Sequence, residues 1–143
     1  VLPYDYQLYG KEIVGYIETA QRHAVKAGLK LDFTAALDAA RRFSAAGAAI
    51  YKIQANPPAD SASLNRALRA AEGALLNPEG LPRRPWYKHT IYAPGEYTGY
   101  AAVVIPGVNE AIEAADAPRA QAQLAVLGEA LNRAAATLEA ATK

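Results

Sequence analysis

Apolar side chains return at every third or fourth position over four stretches of this chain, the spacing of one face of an α-helix. The first runs over residues 6–27, with Tyr9, Ile13, Tyr16, Ile17, Ala20 and Ala24 on the stripe. Asp5 stands where an N-cap belongs and Gly28 where a left-handed C-cap belongs. Gly10 and Gly15 fall inside this helix; each either weakens it or marks a close contact. The second stretch, residues 33–55, carries Phe33, Leu37, Ala40, Phe43, Gly47, Ile50 and Tyr51 along one side, with Asp32 as its cap. Asn56-Pro57-Pro58 ends it. A third helix starts at Ser61 or Ser63 and runs to about residue 76, with Leu64, Leu68, Ala71 and Leu75 on its stripe. Residues 108–115 predict two further turns. Asp116 then caps a last helix, with Pro118 in its first turn. Leu124, Leu127, Leu131, Ala134 and Leu138 form its narrow seam, suited to antiparallel bundle packing.

Between the third and last helices the pattern fails. Residues 77–107 read NPEGLPRRPWYKHTIYAPGEYTGYAAVVIPG. They hold Pro78, Pro82, Pro85, Pro94 and Pro106, the chain's single tryptophan, and Tyr87, Tyr92, Tyr97 and Tyr100. About 30 residues is far beyond the roughly 2 to 8 usual between packed helices. The segment is also too aromatic for disorder, since its rings need somewhere to bury. Residues 90–93 and 101–105 have short extended character. The expected fold is therefore all-α: a single domain over residues 1–143, built as an up-down bundle of about four main helices. A long, ordered, aromatic and proline-rich loop joins the third helix to the C-terminal ones, pinned across the bundle or against a partner.

Composition narrows the chemistry. There is no cysteine, so disulfides, thiol catalysis and cysteine-ligated metal are excluded. A net charge of +1 gives no reason to expect nucleic acid or an anionic membrane as a partner. No apolar run reaches the roughly 18 residues needed to cross a bilayer. The chain opens on Val1, with no methionine anywhere, which suggests a piece of a longer protein.

Candidate chemistry is sparse. His23 reads as a partly exposed helical histidine. His89 is open to two readings, a proton shuttle or a loop anchor bonded to backbone carbonyls. Arg83, Arg84 and Lys88 alternate with Trp86 and Tyr87, superficially like a platform for single-stranded nucleic acid. The cluster is short, and stacking of cations on rings plus ion pairs to the helices explains it equally well. Glu96 and Glu110 look isolated, and Glu139 looks like part of a solvated face. No nucleophile elbow, paired histidines of a zinc protease, phosphate loop or paired carboxylates appear. On residues alone, a binding or assembly module outranks an enzyme.

The run GLPRRPWYKHTIYAP at residues 80–94, followed by Tyr100 and by Ile105-Pro106-Gly107, resembles the C-terminal helical domain of glutamate carboxypeptidase II and the transferrin receptor. Leu2-Pro3-Tyr4-Asp5 resembles the point where that family's chain leaves its protease-like domain, and residues 123–140 end like the family's C-terminus. The likeness covers nearly the whole chain. It implies a transferrin receptor-like dimerisation domain, with a second copy and the parent's protease-like domain as its partners. Arg83, Arg84, Trp86, Tyr87, His89 and Tyr92 become candidates for the loop anchor and interface. It implies a parent whose zinc is held by His, Asp and Glu of the absent protease domain, so this chain has no metal or catalytic residue of its own. It implies an extracytoplasmic setting. In the glutamate carboxypeptidases a Lys-Tyr pair on this loop helps hold the substrate's terminal glutamate. Here Tyr100 takes the tyrosine position and Gly99 the lysine position. A receptor-like relative without activity is the alternative, and a self-contained peptidase the remaining one.

Overall fold

The computed structural model describes residues 4–94 and 102–142. Five helices follow in order: α1 (Tyr6–Lys26), α2 (Thr34–Ala55), α3 (Ala62–Ala74), α4 (Pro106–Glu113) and α5 (Ala117–Ala141). Two short strands, β1 (Tyr92–Pro94) and β2 (Ala102–Val104), pair antiparallel, with Tyr92 opposite Val104. The fold is all-α, and the small ribbon occupies the extended stretches that the sequence predicts before α4.

Local chemistry sets the helix ends. The Asp5 carboxylate accepts the Leu8 amide at 2.9 Å and Asp116 accepts that of Arg119 at 3.1 Å, as expected of caps. Two N-terminal caps fall differently, α3 ends two residues earlier than its pattern predicts, and α4 lies two residues earlier at both ends. The residue before α2 is Phe33, and the Asp32 carboxylate accepts the Thr34 amide from one residue further out. At α3 the flanking Ser61 makes no side-chain cap bond; Asp60 accepts the Ala62 amide instead.

Apart from Tyr51, which is 50% exposed, the predicted stripes face one core. Ile13, Ile17, Phe43, Ile50, Leu68, Leu75, Leu131 and Leu138 are fully buried, and every seam position of α5 is buried. Helices α1 and α2 cross closely because glycine sits at the contact. A Cβ on Gly10 would lie 2.6 Å from the Ser44 Cα, and one on Gly47 would lie 2.5 Å from the Tyr6 carbonyl carbon. Gly10 thus marks a close contact, whereas Gly15 faces open space. Helices α2 and α5 run side by side in the same direction, so against α2 the α5 seam packs parallel and not antiparallel as its spacing suggests. Their N-terminal ends meet through Asp32 and Gln121, and further along Arg42 reaches Asn132 and Glu139. Glu139 is therefore an ion-pair partner rather than merely a solvated acid. At the entry to α4 Ile105 takes a left-handed conformation, φ 36°, unusual for a β-branched residue. Its buried side chain and a 2.7 Å bond from its amide to the Ile91 carbonyl hold it there.

Candidate functional site

Helix α3 ends at Ala74, four residues before Pro78, and the chain then folds back along that end. The Asn77 amide donates to the Lys88 carbonyl at 2.7 Å, and the Thr90 amide and hydroxyl both donate to the Leu75 carbonyl. Arg133 of α5 reaches the carbonyls of Ala74 and Leu76 at 3.2 and 3.1 Å. The segment 77–91 is thereby tied to the end of α3, and that end in turn to α5, through backbone carbonyls that a helix terminus leaves unsatisfied.

A tight turn makes the tip. Leu81 and Arg84 exchange backbone bonds at 3.2 and 3.0 Å. Gly80 is left-handed, φ 72°, and a Cβ there would meet the Pro85 carbonyl oxygen at 2.2 Å. Only glycine allows that approach. The turn sends Arg84 inward, where its guanidinium bonds the Glu110 carboxylate of α4; each side chain is only 9% exposed. Arg84 also lies 5.3 Å over the Tyr87 ring. Cation stacking and a loop-to-helix ion pair are thus both present, and Glu110 is not isolated.

His89 holds the other end of the loop, but not through carbonyls as expected. Its Nε2 lies 2.8 Å from the Glu72 carboxylate of α3. Its Nδ1 accepts the amides of Ile91 and Tyr92 at 3.2 and 3.3 Å. The tautomer that fits carries its proton on Nε2. One ring nitrogen is held by Glu72 of α3 and the other by the amides that lead into β1, so both serve to anchor the loop.

Tyr92 links β1 to α1. Its ring stacks on Tyr9 at 6.2 Å and meets Tyr16 edge-on, with the two hydroxyls 3.3 Å apart. The bond to Tyr16, followed by burial, pushes the Tyr92 hydroxyl up to about 12. Burial, followed by the nearby Glu72 charge, pushes Tyr6 and Tyr9 up as well. Tyr6 donates to the Leu68 carbonyl.

Trp86 corrects the sequence reading. Its ring was expected to bury, yet it is 67% exposed. Arg84 takes the inward side of the turn, and Pro85, seated on Gly80, carries the next side chain outward. Tyr87 is half-buried and Arg83 exposed. His23 is exposed on α1, as expected. Gly99 and Tyr100 lie outside the described residues.

No three His, Cys, Asp or Glu side chains among the described residues come together as a ligand set. No helix among them is long and apolar enough to cross a membrane.

A family model described as the transferrin receptor-like dimerisation domain matches residues 27–139. The chain belongs to this family. Among curated proteins it is similar to the probable glutamate carboxypeptidase LAMP1 of Arabidopsis thaliana, 32% identical over 115 residues, covering 79% of this chain and 17% of that protein. It is similar to a probable glutamate carboxypeptidase of Arthroderma benhamiae, 28% identical over 127 residues, covering 84% of this chain and 18% of that protein. A third relative is the probable glutamate carboxypeptidase VP8 of Zea mays, 32% identical over 126 residues. The chain thus spans less than a fifth of the length of these relatives.

Proposed function

We propose that this chain joins two copies of a zinc-dependent, glutamate carboxypeptidase-like peptidase, and that the residues between β1 and β2 complete one wall of the parent's substrate cleft. The family match is the observation that carries the first half. The relatives' names favour a peptidase parent over a receptor without activity. Zinc belongs, on this reading, to the remainder of the parent. The chain by itself hydrolyses nothing, and incubation with zinc and dipeptides of varied C-terminal residue is expected to give no turnover.

The cleft role draws its support from the resemblance in the hairpin and from the way that hairpin is based. His89, Tyr16 and Ile91 fix β1 and the entry to α4 from three sides. Gly99 stands where a lysine would meet a substrate carboxylate, and glycine offers no such charge. Introducing Gly99→Lys into the full-length parent is expected to raise kcat/KM for a glutamate-terminated dipeptide about tenfold relative to an alanine-terminated one, the scale of one charge-assisted bond. An unchanged ratio would contradict the cleft role and leave the assembly role standing.

A further inference from the structure

We propose that Trp86 is the central anchor of the contact between two copies of this chain. The inference rests on the dimerisation reading above and names the place where it is realised. Large exposed rings on a rigid base make strong interface anchors, because they bury much apolar area and lose little freedom on binding. Trp86 combines both properties. The ring is 67% exposed. Its backbone is locked between the Gly80–Pro85 contact, the reciprocal Leu81–Arg84 bonds and the Arg84–Glu110 pair that fastens the turn to α4. Tyr87 extends the aromatic surface, its ring centre 6.2 Å from that of Trp86.

The occupant follows from the family and from charge. Members of a dimerisation family carry a self-contacting patch, and a two-fold interface sets the same patch against itself. Such a patch must be self-complementary, so its rim needs both signs of charge. Glu79 and Lys88 supply them here, both exposed on this loop. A net charge of +1 raises little barrier between two copies.

Because Trp86 is the chain's only tryptophan, indole emission reports this contact directly. In a dilution series followed by sedimentation and fluorescence, emission is expected to move to the blue, and acrylamide quenching to fall, in step with the dimer fraction. Trp86→Ala is expected to weaken dimerisation at least about tenfold while circular dichroism and Tm stay unchanged, and Trp86→Phe to restore part of the affinity. A dimer that forms with unshifted emission, or that Trp86→Ala leaves intact, overturns the assignment while dimerisation stands. So does a dimer lost on Leu8→Ala, which would place the contact on the exposed face of α1. A wild-type chain that is monomeric throughout overturns both the assignment and the reading it rests on.

Discussion

Gly28 and Ala115 occupy the same place at two helix ends. After α1 the amides of Gly28 and Leu29 donate back to Val25 and Ala24. After α4 those of Ala115 and Asp116 donate to Ile112 and Ala111. Both residues are left-handed, φ 74° and 54°, and only one is glycine. Ala115→Gly is therefore expected to stabilise the chain by about 1 kcal/mol and Gly28→Ala to destabilise it by about as much, read as shifts of the urea midpoint. The glycine cap was legible in the sequence because Gly28 follows the last periodic residue. The alanine one was not, since alanine announces no turn. Nor did any local signal show that Arg84 would point inward and Trp86 outward, because an irregular turn has no period from which to read a face.

Elements are joined here by a few polar contacts between segments distant in sequence. Arg84 and Glu110 are 26 positions apart and His89 and Glu72 17 apart, so neither pairing leaves a spacing to find. The helices, by contrast, were legible to within about two residues at their ends, because each buries one stripe against a common core. Truncating one member of the Arg84–Glu110 pair strands the other. Glu110→Ala is expected to cost about 3 kcal/mol, and the double change Arg84→Met with Glu110→Leu to cost less than the single one, both measured by urea unfolding. The tyrosines binding α1 to β1 set a second expectation. Tyr92 holds its proton to about 12 in the folded chain, against 10.0 for a free tyrosine. Above that lower value the unfolded chain loses protons that the native chain keeps. The contribution is thus complete below pH 10.0 and is lost as pH rises through about 12. Tyr6 and Tyr9 act in the same direction. Unfolding at increasing alkalinity should show stability falling over that window, and Tyr92→Phe should flatten the fall.

At the scale of the molecule, the five helices among the described residues close around one core, while a loop fastened at both ends projects an uncovered aromatic surface. A fold that needed only its own stability would gain by turning that ring inward. Family membership gives the outward ring a use, and the central claim is that the loop is a fixed platform for a second copy. Sedimentation equilibrium of the 143-residue chain across a wide range of concentration tests this most directly. The expected result is a reversible association to twice the mass of one chain; a single-chain mass at every concentration would contradict it.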